Sequence, residues 1–177
     1  RRGGVVVLPT DTLYGLSAAA SSVGGIGHIR AIKRSADERL FIVLAASVDM
    51  VAEQVRSFGC SSREELGRVW PAPVTAILPL GKQLAEWMGE TVAVRVPAVP
   101  ALLDLISELG EPIVSTSVNR SGEPPRTSLD EIEAEFGPEV DMVVRGKITA
   151  TLASTIVDLT GDEPVVVRQG HFAWPTP

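Results

Sequence analysis

Apolar residues in this chain fall into short runs separated by polar and proline-rich stretches. Val5-Val6-Val7-Leu8, closed by Pro9, and Phe41-Ile42-Val43-Leu44-Ala45-Ala46 are continuous apolar runs. Runs of this length, rich in β-branched residues, predict strands buried on both faces. The same reading gives strands at Val74 to Leu80, Thr91 to Val96, 112–116, Met142 to Val144, Ser154 to Leu159 and Val165 to Val167. Apolar residues at 26, 29 and 32 carry a helical spacing and predict a short helix from Ile26 to Lys33. Residues 48–56 and 62–69 also read as helices, the second stopped at Trp70 by Pro71 and Pro73. Ala101 to Leu109 is a helix terminated by Gly110. Ser128 opens another, as N-cap, with Glu131 in the capping-box position.

Strands and helices intermix without strict alternation. The expected class is therefore α+β, a mixed sheet with helices packed on it, in preference to a doubly wound parallel fold. Residues 1–177 read as one domain: no internal repeat interrupts them, and the loop at Ser121 to Thr127 is too short for a domain linker. Hydrophobic residues make up 45% of the chain, enough for a dense core. The single cysteine, Cys60, excludes an internal disulfide and a cysteine-rich zinc site, and is expected as a small half-buried thiol. No apolar run approaches the roughly 20 residues that span a bilayer, and no basic-then-apolar leader precedes the first strand, so a cytoplasmic protein without a membrane partner is expected. A formal net charge of −6 gives no general attraction for nucleic acid. The basic residues Arg30, Lys33, Arg34 and Arg39 form a local cluster suited to one small polyphosphate.

Candidate chemistry is polar but lacks a strong nucleophile. Phosphate-loop, dinucleotide-fingerprint, nucleophile-elbow and metal-helix motifs are all missing, and two histidines, His28 and His171, cannot build a metal cage. What the chain does offer is polar groups at the ends of apolar strands: Thr10 and Thr12, Lys33 and Arg34, Thr91 and Arg95, Ser154 and Thr155, and Arg168. The densest is Ser115-Thr116-Ser117-Val118-Asn119-Arg120-Ser121-Gly122-Glu123-Pro124-Pro125, directly behind Pro112-Ile113-Val114. Hydroxyls and an amide at a strand end read as a binding edge for phosphate, ribose or an amino acid.

Seven blocks, in order along nearly the whole chain, resemble the YrdC-like family of threonylcarbamoyl-adenylate synthases. They are Pro9 to Leu16, Lys33-Arg34, Trp70 to Thr75, Val92 to Pro97, Ser115 to Pro125, Ser154 to Asp158 and Val167 to Gly170. The resemblance implies a twisted mixed sheet of about seven strands, flanked by helices, with a concave ligand cleft. It implies a reaction in which L-threonine and bicarbonate form N-carboxythreonine, which attacks the α-phosphate of ATP and releases pyrophosphate. The product would serve a separate TsaD-type transferase that modifies adenosine 37 of tRNA.

Residue by residue, the resemblance assigns Lys33, Arg34, Thr91, Ser117, Asn119 and Arg168 to ATP, with Lys33 and Arg34 as the catalytic cations and Mg2+ bridging the phosphate oxygens. It assigns Thr12, Arg95 and Ser154 to threonine, with Arg95 clamping the carboxylate, and leaves Ser115 backbone contacts only. No protein metal ligand is implied. The chain departs from the family's Lys-x-Arg-Pro pattern at Lys33-Arg34-Ser35, which is one residue shorter and lacks the proline. Two further readings stand beside this one: a carbamoyl-adenylate-forming relative, and a non-catalytic paralogue that binds tRNA or double-stranded RNA. Gly122 and Pro124-Pro125 together make the 120–127 loop a candidate lid over the nucleotide.

Overall fold

The computed structural model describes residues 3–35, 41–57, 60–81, 89–148 and 152–175, with the backbone alone for 60–62. Arg39 and the Cys60 side chain, both singled out from the sequence, lie outside this description. Strands β1 (Val6–Leu8), β2 (Gly15–Ala19), β3 (Ile42–Leu44), β4 (Val74–Pro79), β5 (Thr91–Arg95), β6 (Ile113–Ser117), β7 (Met142–Val143), β8 (Thr155–Asp158) and β9 (Val165–Arg168) form one sheet. Helices α1 (Val23–Lys33), α2 (Val48–Gln54), α3 (Cys60–Val69), α4 (Pro100–Leu109) and α5 (Leu129–Phe136) pack around it. The strand order is β7-β1-β2-β6-β3-β5-β4-β8-β9. Three neighbouring pairs are parallel, β1 with β7, β3 with β5 and β4 with β8, and the rest are antiparallel. The sheet is mixed, as expected, but among the described residues it has nine strands rather than about seven.

The strand absent from the sequence reading is β2. Gly15-Leu16-Ser17-Ala18-Ala19 contains no β-branched or aromatic residue, so local propensity speaks against a strand. It is one because β1 and β6 offer it ladders on both sides, pairing Ser17 with Val6 and with Ser115. Helix boundaries differ by small amounts: α1 starts at Val23, where the Ser22 hydroxyl accepts from Gly25 N at 3.0 Å, and α2 ends at Gln54.

Strand parity then divides the side chains between two layers. On one face, Leu16, Ala18, Val43, Val94, Val114, Val74, Ala76 and Val157 pack with Ile26, Ile29 and Ile32 of α1, Leu66 of α3, and Ile132 and Phe136 of α5. On the other, Leu8, Leu44 and Ile113 pack with Leu102 and Ile106 of α4. Among the described residues, the ten-residue α4, with Met50 of α2 at its margin, covers only part of that second face. Its uncovered part, beside Ile42, is where the polar strand ends gather.

Candidate active site

A cavity of about 250 Å³ opens on this face, lined among others by Thr12, Tyr14, Arg95, Ser115, Ser117, Ser154 and Arg168. Register explains the meeting. Leu44 pairs with Arg95 of β5 and with Ile113 of β6, while Ile42 and Ser17 both pair with Ser115, so these alternate side chains share one face. Ala76 pairs with Val94, which sets Thr75 and Arg95 next along the same ladder, and Ile156 joins Thr75 to Arg168 across β8.

Arg95 forms the floor and is only 2% exposed. Its Nη1 donates to Thr12 Oγ1 at 3.2 Å, and its Nη2 lies 3.3 Å from Asp11 Oδ1. Its Nε has no hydrogen-bond partner among the described residues. Burial lowers the Arg95 pKa, the Asp11 carboxylate opposes that shift, and the neighbouring Arg168 cation adds to it. Two guanidiniums this close, one of them with donor capacity left unmet, make a site that an anion would relieve.

Thr12 is set by its own turn: Thr10 Oγ1 lies 3.0 Å from Thr12 Oγ1 and accepts from Thr12 N at 3.1 Å. On the far wall Ser154 Oγ sits 2.8 Å from Thr75 Oγ1, and the Ser154 carbonyl accepts from Arg168 Nη2 at 2.9 Å and Nε at 3.2 Å. Tyr14 both lines the cavity and donates to Gly146 O at 2.6 Å. The Ser115 hydroxyl is engaged as well, accepting from Ser17 Oγ at 3.0 Å.

The Ser117–Asn119 edge is braced from behind. Lys33, at the end of α1 and 2% exposed, donates from Nζ to Ser117 O at 3.0 Å and to Asn119 Oδ1 at 2.7 Å. Burial pulls its pKa down to about 8. Asn119 Nδ2 donates to Glu123 O at 2.6 Å and Arg120 O at 3.0 Å, so this amide closes the turn after β6 and does not face the cavity freely. The 120–127 loop is tied at several points: Ser121 N donates to Lys33 O, Arg126 N to Val118 O, and Arg126 Nε pairs with Glu135 of α5 at 2.9 Å. Pro125 from this loop lines the cavity.

Thus Thr12, Arg95, Ser117, Ser154 and Arg168 converge, with Lys33 and Asn119 immediately behind Ser117. Arg34 and Thr91 do not line the cavity. Arg34 caps α1 with φ 53° and is exposed. Thr91 is exposed on the cleft face of β5, four residues and roughly 13 Å along the strand from Arg95. The sequence reading missed Asp11, Thr75 and Ser17 as parts of the site. Asp11 and Thr75 stood inside blocks already singled out, but nothing local said that they face Arg95 and Ser154.

The Sua5/YciO/YrdC family model, described as telomere recombination, matches residues 1–170. The chain belongs to the Sua5/YciO/YrdC family. Threonylcarbamoyl-AMP synthase of Nitrosococcus oceani is 33% identical over 149 residues, covering 82% of this chain and 80% of that protein. The solved structure of Pyrococcus abyssi Sua5 complexed with L-threonine superposes with a TM-score of 0.86 and 30% identity, over 95% of this chain and 51% of that one. The chain thus spans about half the length of that Sua5. Escherichia coli YciO, of similar length, gives a TM-score of 0.85 and 28% identity over 97% of this chain and 85% of its own. This chain thus shares its fold with those Sua5 and YciO structures. No helix among the described residues is long and apolar enough to cross a membrane.

Proposed function

We propose that this Sua5/YciO/YrdC chain is an L-threonylcarbamoyladenylate synthase, a nucleotidyltransferase using L-threonine, bicarbonate and ATP. The observation that carries this reading is the buried Arg95 at the cavity floor, whose Nε has no hydrogen-bond partner among the described residues and whose guanidinium suits a carboxylate, in a family of which one member is solved with L-threonine. Threonine seats its carboxylate on Arg95 between Thr12 and Ser154. Its amine condenses with bicarbonate, losing water, to give N-carboxythreonine. A carbamate oxygen then attacks the α-phosphorus of ATP, the bond to the β-phosphate oxygen breaks, and pyrophosphate leaves with that electron pair. The protein supplies placement and positive charge rather than a nucleophile.

The cavity is small beside the roughly 300–1,000 Å³ of sites that enclose drug-sized ligands. It therefore holds the amino acid and the reacting phosphate, while the rest of the nucleotide lies along the open sheet face toward Thr91. Arg168 and the Ser117 edge face the phosphates, with Lys33 as a positive charge behind that edge. Magnesium arrives on the triphosphate as MgATP. The product passes to a separate TsaD-type transferase for position 37 of tRNA.

Pyrophosphate release from MgATP with bicarbonate tests the reading, comparing L-threonine, L-serine, carbamoyl phosphate and no addition. Release is expected to depend on threonine and to be about 10- to 200-fold less efficient with serine, the worth of one methyl in a pocket. Equal or greater stimulation by carbamoyl phosphate would replace this reading with a carbamoyl-adenylate former.

Lys33 adds a pH dependence. Its pKa of about 8 lies below the ordinary 10.5, so its ammonium is present below pH 8 and lost above it. The kcat/KM for ATP, which reports the free enzyme, is expected to fall as pH rises through about 8. Lys33→Arg, whose charge persists, should remove that inflection. The same depressed pKa makes this group's contribution to stability grow between pH 8 and 10.5, because over that window only the unfolded chain keeps the proton. Affinity and stability are thus expected to move in opposite directions, and a parallel fall in both would argue against Lys33 as the titrating group.

A further inference from the structure

We propose that Asp11 is a positioning residue for the carboxylate clamp: it fixes the Arg95 guanidinium for threonine without touching the substrate itself. The inference rests on the synthase reading above and adds to it a residue with no assigned role.

Asp11 is 3% exposed, and its two oxygens have separate tasks. Oδ1 lies 3.3 Å from Arg95 Nη2, while Oδ2 accepts from Ala98 N at 3.0 Å, in the connection between β5 and α4. The carboxylate is therefore anchored to backbone before it holds the arginine. Its chain neighbour Thr12 accepts from the other terminal nitrogen, Nη1, at 3.2 Å. Two consecutive residues from the loop after β1 thus grip both ends of one guanidinium and set its plane. An arginine has many rotamers, and bidentate recognition works only when the fork is presented in one of them.

Charge points the same way. Arg168 is near enough to Arg95 to disfavour its cation, and Asp11 offsets that repulsion. Without the carboxylate, the empty site would hold two neighbouring guanidiniums with no fixed counter-charge, and Arg95 would move away from Arg168. Adjacent anions ordinarily repel a carboxylate ligand, yet Asp11 is buried, with Oδ2 hydrogen-bonded to Ala98 N and Oδ1 ion-paired with Arg95, so its charge is balanced by the guanidinium it holds. Its effect on threonine binding accordingly runs through Arg95.

Steady-state kinetics of pyrophosphate release by the full chain test this, with Asp11→Asn, Asp11→Glu, Arg95→Gln and the Asp11→Asn/Arg95→Gln double variant. Asp11→Asn keeps the shape and an acceptor for Ala98 N but loses the ionic grip. The threonine KM is expected to rise at least tenfold, while kcat and the ATP KM stay within about threefold of the unsubstituted chain. Asp11→Glu, which keeps the charge at a shifted position, should fall between the two. In the Arg95→Gln background Asp11→Asn should add nothing further, since its action runs through the missing guanidinium.

An unchanged threonine KM, equal rises in both KM values, or an undiminished Asp11→Asn effect in the Arg95→Gln background would overturn the proposal. If Asp11→Asn does not fold, Asp11→Glu decides alone: a rise confined to threonine supports it and an unaltered threonine KM overturns it. Absence of threonine-dependent turnover in the unsubstituted chain would overturn the synthase reading, and this inference with it. Normal turnover with indifferent Asp11 variants overturns only the latter.

Discussion

Arg95→Ala is expected to lower kcat/KM for threonine by about a thousandfold, equivalent to roughly 4 kcal/mol. The size follows from burial. Arg95 is 2% exposed and touches Asp11 and Thr12 at the floor of the cavity. Truncating one partner of such a pair costs about 2–5 kcal/mol, because a carboxylate stays behind without its cation and the ligand's carboxylate loses its own. Arg95→Lys separates charge from geometry. A lysine ammonium retains the attraction but not the fork, so an intermediate loss of ten- to a hundredfold is expected. The threonine dependence of pyrophosphate release measures both. A loss below tenfold in Arg95→Ala would remove this residue from the clamp, and an equal loss in ATP affinity would assign it to the phosphates.

Gly170→Ala is expected to damage fold and site together. A Cβ on Gly170 would lie 2.3 Å from Ala153 O, 2.5 Å from Ser154 C and 2.5 Å from Thr155 N. All three are backbone atoms, so no side-chain rotation relieves the overlap. Gly170 N also donates to Thr155 Oγ1 at 2.9 Å, pinning the chain after β9 against the start of β8. Forced overpacking costs about 1–3 kcal/mol, and this position should reach the upper end. That corresponds to a Tm lower by roughly 6–12 °C for a chain of this length. Since the displaced segment carries Ser154, whose carbonyl holds Arg168, efficiency with threonine and with ATP should fall alike. The kinetics distinguish this from Arg95→Ala: that variant also loses stability, because Asp11 stays buried without its cation, but its loss of efficiency is confined to threonine. An unchanged Tm with unchanged kinetics would mean that the strand end does not need the close approach.

Several site residues were legible from their positions at strand ends. Ser154, Arg168 and Ser117 each stood at or beside the end of an apolar run, and each lines the cavity. Lys33 was legible as part of a basic cluster, but its burial was not. A lysine ending an amphipathic helix ordinarily lies in solvent, and only the turn after β6, folded back over α1, encloses it and lowers its pKa. The loop with Gly122 and Pro124-Pro125 read as a lid. Its composition could not reveal the ties from Arg126 to Glu135 of α5 and from Ser121 N to Lys33 O of α1, which cross between separate elements.

By itself the sequence determined the local pieces: which runs extend, where α4 stops at Gly110 with φ 77°, and that hydroxyls and cations stand at strand ends. These follow from period, caps and turn residues acting over a few positions. Strand order, the existence of β2 and the pairing of Asp11 and Thr12 with Arg95 and of Thr75 with Ser154 were decided only in the folded sheet. Thr12 and Arg95 are 83 residues apart, and Thr75 and Ser154 are 79 apart. No local spacing encodes such contacts. Backbone ladders choose the neighbours, strand parity chooses the face, and the need to bury one face under α1, α3 and α5 leaves the other partly open for chemistry.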